Sequence, residues 1–165
     1  GAERPVAYIA GSQHSGFNFG KILKPTYTIC SVSRYTQGAH RRILQTKHTN
    51  WLHGHWHGRA GVCHYNHWNT AHSPGIYSTA KLDWVVMCGN NARMVYTGKT
   101  GDKNMATNTG SAFDRDVELF VNEGHREYSD FGVMEVITWN RQLTAEEMKA
   151  SIKYLQWKLK TGTVR

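Results

Sequence analysis

The sequence predicts an all-β fold, a two-sheet antiparallel sandwich closed by one C-terminal helix. Three observations carry that expectation. Short runs rich in Val, Ile, Thr, Tyr, Phe and Trp alternate with Gly, Asn, Asp and Ser clusters along most of the chain. A single stretch near the end repeats its apolar residues at helical spacing. The 165 residues, 39% of them hydrophobic, suit one domain (residues 1–165) able to bury its own core.

Residues 1–25 are mixed, and Phe17 and Phe19 alternating with Asn18 predict an edge strand or an arm laid over a sheet. Residues 26–35 (TYTICSVSRY) are apolar and β-branched enough for a strand buried on both faces. A turn at residues 37–40 leads to a strand over 41–47. Residues 51–68 then hold five of the ten histidines and three of the six tryptophans. Successive strand side chains alternate sides, so Trp51, His53, His55 and His57 share one face, with Leu52, Gly54 and Trp56 on the other. After a break at residues 58–61, a second run sets Val62, His64, Asn66 and Trp68 against Cys63, Tyr65 and His67. Two such runs around a short Gly-bearing connection predict a β-hairpin.

Residues 69–80 read as a loop long enough to bind something. Strands are expected at 82–88 and 93–97, joined by a tight turn at residues 89–91 with positive φ. After a polar loop, residues 115–121 read as a strand with Val117, Leu119 and Val121 inward. Asp114, Asp116, Glu118, Phe120 and Asn122 would then face outward. Residues 131–139 (FGVMEVITW) read as a central strand. The helix spans about 144–160, with Thr144 and Glu147 forming a capping box and Gly162 ending it. Its buried stripe is Met148, Ile152, Leu155 and Leu159.

The last third is the most specific part. Ser129-Asp-Phe-Gly-Val-Met-Glu-Val-Ile-Thr-Trp-Asn-Arg-Gln-Leu-Thr-Ala-Glu-Glu-Met148 resembles the closing strand and helix of laminin-G-like, concanavalin A-like lectin/glucanase jelly rolls. Gly132, Glu135, Val136, Trp139, Asn140, Arg141, Leu143, Thr144 and Glu147 carry the match, and residues 82–98 follow that fold's mid-chain hairpin more loosely. The resemblance implies a concanavalin A-like jelly roll and a carbohydrate-binding or adhesion role. Fold alone does not fix function.

Charge and cysteines bound the partners. The formal charge of +8 favours polyanions. No basic tract or nucleic-acid reading motif occurs, and no apolar run approaches the length of a membrane helix. Cys30, Cys63 and Cys88 lack any C-x-x-C spacing, which leaves a disulfide plus one thiol, or three thiols. A module of a secreted or cell-surface protein is the expected setting, with a glycan or another extracellular polymer as partner.

Candidate sites follow from residue chemistry. Sugar rings stack on Trp and Tyr while His, Asn and Arg bond hydroxyls, so Trp51, His53, His55, His57, Arg59, Tyr65, His67 and His72 form the expected ligand surface. The comb of His53, His55 and His57 also suggests a metal. Same-face neighbours lie about 7 Å apart, so two at most share one ion. Asp114, Asp116 and Glu118 approach the paired-carboxylate spacing of retaining glycosidases, with Asp where Glu is usual. Ca2+ at Asp114 and Asp116 is the other reading of that run. Glu135, in an apolar strand, is expected in a structural ion pair with Arg41, Arg59 or Arg141. The leading expectation is a non-catalytic lectin-like module. A glycoside hydrolase and a sugar-free protein-interaction module are the alternatives.

Overall fold

The computed structural model of the protein describes residues 1–73, 75, 83–124 and 127–164. Ten strands form two five-stranded antiparallel sheets, packed as a sandwich with one C-terminal helix. Sheet A is ordered β1 (Ile9–Gly11), β10 (Phe131–Trp139), β3 (Thr28–Tyr35), β7 (Val85–Asn90), β8 (Val95–Thr97). Sheet B is ordered β2 (Phe17–Asn18), β9 (Phe120–Val121), β4 (Leu44–Gln45), β5 (Trp51–Trp56), β6 (Arg59–Tyr65). Helix α1 (Ala145–Thr161) covers the outer face of sheet A, giving three layers and two apolar cores.

The period-2 geometry of strands explains how β3 and β7 are buried on both faces. Ile29, Tyr35, Val85 and Met87 point between the sheets, while Cys30, Val32, Val86 and Cys88 point under α1. Cys30 and Cys88 are direct cross-strand partners and form a disulfide beneath the helix. Such bonds persist in oxidising compartments, which is consistent with an extracellular protein. Cys63 faces the other core as a buried free thiol, whose pKa burial pushes up to about 12.

The helix starts as its sequence predicts. The Thr144 hydroxyl accepts from the Glu147 backbone N–H, the Glu147 carboxylate accepts from the Thr144 N–H, and Gly162 ends the helix at φ 86°. Glu135 is ion-paired with Lys158 on α1, not with the arginines expected. Arg141 instead forks onto Glu147 at 2.7 and 2.9 Å. The reason is the path of the helix: α1 runs back across sheet A over β3, β7 and β8, and its last turn brings Lys158 to Glu135.

Several strand expectations are corrected. The segment 115–121 is a strand only at β9, with one bridge from Leu23 to Val117, and Phe120 and Asn122 are buried rather than outward. Asn122 adopts φ 58° and its side-chain amide donates to the Ser12, Ser15 and Ser129 carbonyls, which pulls it inward. The strand expected over 41–47 is confined to Leu44–Gln45. Residues 89–91 have no positive φ, because β7 runs on through Asn90. Gly89 serves a different need there: a methyl group on it would overlap the Tyr65 hydroxyl. Much of the loop at residues 69–80 lies outside the described residues, as does Leu82 of the next expected strand.

Candidate functional site

The β5–β6 hairpin carries most of the residues expected to bind a ligand. Trp56 and Arg59 pair across a two-residue turn, where His57 and Gly58 both have positive φ, 47° and 74°. This is the geometry that matches strand twist in a tight hairpin. It also ends the alternation expected to run through His57. A register shift between Gly54 and His55 breaks the pattern a second time.

The face bearing Trp51 is the core face, which corrects the expected ligand surface. Trp51 and His53 are 0% exposed and His55 is 1% exposed. Tyr65 lies with them, and the rings of Trp51, His53 and Tyr65 are stacked. The Trp51 indole N–H donates to the Tyr27 hydroxyl at 2.7 Å and the Tyr65 hydroxyl meets His53 Nδ1 at 2.6 Å, while His53 Nε2 is buried without a hydrogen-bond partner. Burial lowers the pKa of His53 to about 4, partly offset by the Met87 carbonyl. Burial, then the neighbouring His53 and His40, lowers that of His55 to about 3. Both imidazoles are neutral structural groups. Among the described residues no group of three His, Cys, Asp or Glu side chains could hold a metal ion. Neither the histidine comb nor Asp114 and Asp116 belongs to such a group.

The outward face of the hairpin carries what the inward face does not. Beyond Tyr65 the chain reverses at Asn66, φ 62°, and residues 66–70 turn back along β6. Trp68 bridges to His64, the Asn69 N–H donates to the Cys63 carbonyl at 3.1 Å, and the Cys63 N–H donates to the Thr70 hydroxyl at 3.0 Å. The Asn108 amide holds the Trp68 carbonyl at 3.1 Å. Trp68 is therefore fixed by its backbone. Its ring meets Trp56 at 4.8 Å, His64 at 5.0 Å and His72 at 4.6 Å, and the Arg59 guanidinium lies 5.1 Å from the Trp56 ring.

A charged group adjoins this aromatic shelf. Arg42, nine-tenths buried, ion-pairs with Glu127, and the His57 Nε2–H donates to the other Glu127 oxygen at 2.6 Å. The His57 ring touches Trp56 at 4.7 Å. Burial lowers the His64 pKa. The Asn50 carbonyl, to which it donates at 2.8 Å, opposes this, and the Arg42 charge adds to it. Arg42, Glu127, His57, Trp56, Trp68 and His64 thus form a chain of neighbouring side chains on the outside of sheet B.

Of the predicted ligand residues, His57, Arg59 and His72 join this surface, and His67 is exposed close enough for its charge to influence His64. Trp56, His64, Trp68, Arg42 and Glu127 were not among the predicted site residues. The alternation in residues 51–68 separates the two faces but does not say which meets the core. Arg42 and Glu127 come from distant segments with no local motif.

The carboxylate run at Asp114 makes no comparable cluster. The Asp114 side chain is 87% exposed and its nearest ion pair is Arg115 at 3.8 Å, while Asp116 is neutralised by Lys24. With Glu118 they line an open groove of about 470 Å³. Neither aspartate has the enclosed, water-excluding setting of a glycosidase acid.

With this geometry in view, comparison with solved structures places the architecture. The chain shares its fold with a portion of Trypanosoma rangeli sialidase. The match to that sialidase has a TM-score of 0.52 at 14% identity, covering 97% of this chain and 29% of the sialidase chain. Its complex with the inhibitor DANA gives 0.52 at 14% identity over 92% and 28%. The covalent intermediate with 2,3-difluorosialic acid gives 0.51 at 15% identity over 97% and 29%. The chain spans less than a third of the protein it matches. No family model and no curated protein matches the sequence. At this identity the likeness concerns the fold alone.

Proposed function

We infer that this domain is a non-catalytic carbohydrate-binding module, and that its site is the outward face of the β5–β6 hairpin. The observation carrying this reading is the shelf of Trp56 and Trp68, held by backbone hydrogen bonds and ringed by Arg59, His64, His72 and the Arg42–Glu127–His57 group. Indole faces stack on the C–H faces of sugar rings, and the imidazole and guanidinium N–H groups reach hydroxyl oxygens. Glu127 supplies the acceptor for a hydroxyl donor. Arg42 and Arg59 outnumber this one carboxylate, which favours glycans bearing a carboxylate or sulfate. The fold shared with part of a sialidase supports a glycan setting, and the disulfide supports an extracellular one.

The test is a glycan array on the native domain, repeated with Trp68→Ala and Trp56→Ala. Binding to a defined set of glycans, weakened about 5- to 30-fold by either substitution, is expected, since each stacked ring carries on the order of 1–2 kcal/mol. Binding that survives both substitutions would move the site elsewhere. No binding to any glycan, with or without added calcium, would end the reading.

A further inference from the structure

Helix α1 also has an outward face, remote in sequence from the hairpin site. Its stripe of Met148, Ile152, Leu155 and Leu159 is spent on the core beneath it. On the solvent side Tyr154 is 49% and Trp157 57% exposed. Three residues apart, they are neighbours on the helix surface, with ring centroids 6.2 Å apart and planes inclined by 25°. Two large rings side by side in water forgo the gain that burial brings, which marks an interaction surface more than scattered apolar residues do.

The unpaired charge beside the rings is positive. Lys149, Lys153, Lys158 and Lys160 all lie on this helix, and the Lys158 ammonium sits 5.5 Å from the Tyr154 ring centre. Lys158 is engaged by Glu135 and Lys149 by Asp102 at 3.5 Å. Lys153 and Lys160 are exposed and have no ion-pair partner among the described residues. The helix's carboxylates, Glu146 and Glu147, are confined to its first turn, and Glu147 is held by Arg141.

We propose that this face of α1 adsorbs to the surface of an anionic phospholipid bilayer. Trp and Tyr settle at the boundary between headgroups and acyl chains, and lysines lay their stems along apolar surface while their ammonium groups meet anionic headgroups. The two rings project from a convex helix. A bilayer conforms to such a ridge, and its anionic headgroups complement the free ammonium groups of Lys153 and Lys160 beside the rings. Adsorption is peripheral, since among the described residues no helix is long and apolar enough to cross a membrane. The proposal is independent of the glycan reading, whose residues lie on sheet B.

The experiment is co-sedimentation of the native domain with phosphatidylcholine vesicles, and with vesicles in which roughly a third of the lipid is phosphatidylserine. Association with the anionic vesicles alone is expected. It should weaken at least about tenfold in Trp157→Ala/Tyr154→Ala, which keeps every charge, and in Lys153→Gln/Lys160→Gln, which keeps both rings. Lys21→Gln/Lys103→Gln, which removes the same charge elsewhere, serves as the control and should bind as the native chain does. All these positions but Lys21 and Lys103 are on the exposed helix face, and unchanged thermal melts would show that each variant folds. No association, or association undiminished by loss of the two rings, would overturn the proposal. So would equal weakening in the control, which would trace the binding to net charge.

Discussion

The Tyr65 hydroxyl lies 2.6 Å from His53 Nδ1, sealed between the two sheets with Trp51 stacked beside them. Burial there keeps His53 neutral, and neutrality has a consequence for stability. The folded pKa values of His53 and His55, about 4 and about 3, lie below the unfolded value of 6.5. The unfolded chain therefore binds more protons as pH falls below 6.5. Stability is complete above that value and declines as pH falls from 6.5 toward 4 and 3. At about 1.4 kcal/mol per pH unit for each histidine, roughly 2 kcal/mol apiece should be gone by pH 5. Urea unfolding between pH 7 and pH 5 measures this. A midpoint that stays constant over that range would refute the buried neutral pair.

Gly89 should tolerate no side chain. Its φ is unexceptional, so the constraint is steric: a methyl group would collide with the Tyr65 hydroxyl and disturb its bond to His53. Gly89→Ala is expected to cost about 2 kcal/mol, as overpacking of a closed core does. Gly89→Ala combined with Tyr65→Phe should recover part of that loss in thermal denaturation. Equal losses in the single and double variants would locate the strain elsewhere.

Cys30 and Cys88 are 58 residues apart in sequence, and their bond lies under α1. Closing a loop of that length should stabilise the fold by about 4 kcal/mol through restriction of the unfolded chain. Cys30→Ala/Cys88→Ala should lower the urea midpoint accordingly, and reductant should have no further effect on that variant. Under non-denaturing conditions the native bond should resist mild reductant, because both sulfurs are buried. Fast reduction of the folded protein would contradict that placement.

Asp114 and Glu118 border an open groove and support no packed network. Asp114→Asn and Glu118→Gln should each shift stability by no more than about 0.5 kcal/mol. Neither should alter glycan binding. Turnover on a polysaccharide panel that is lost in Glu118→Gln would instead establish the hydrolase alternative.

What the sequence determined by itself is local. Thr144, Glu147 and Gly162 mark the helix because capping needs only neighbours within one turn. The apolar runs at 26–35 and 131–139 mark strands because β-branched and aromatic side chains suit the extended backbone. Two-sheet architecture follows, since those runs and one amphipathic helix must all bury apolar surface. Tertiary structure decided the rest. The hairpin's two faces are both aromatic and rich in histidine, so composition could not choose the one that packs on sheet A. The choice fell to shape, with the stacked Trp51, His53 and Tyr65 filling the core and Trp56 and Trp68 left outside. Glu127 reaches Arg42 and His57 across 85 and 70 residues, Cys88 reaches Cys30 across 58, and Lys158 reaches Glu135 through the return of α1. Such pairings depend on strand order and on which sheet face meets which layer, and no local pattern in the chain encodes either. The residues 51–68 remain the centre of the candidate site, with the outward face in place of the inward one.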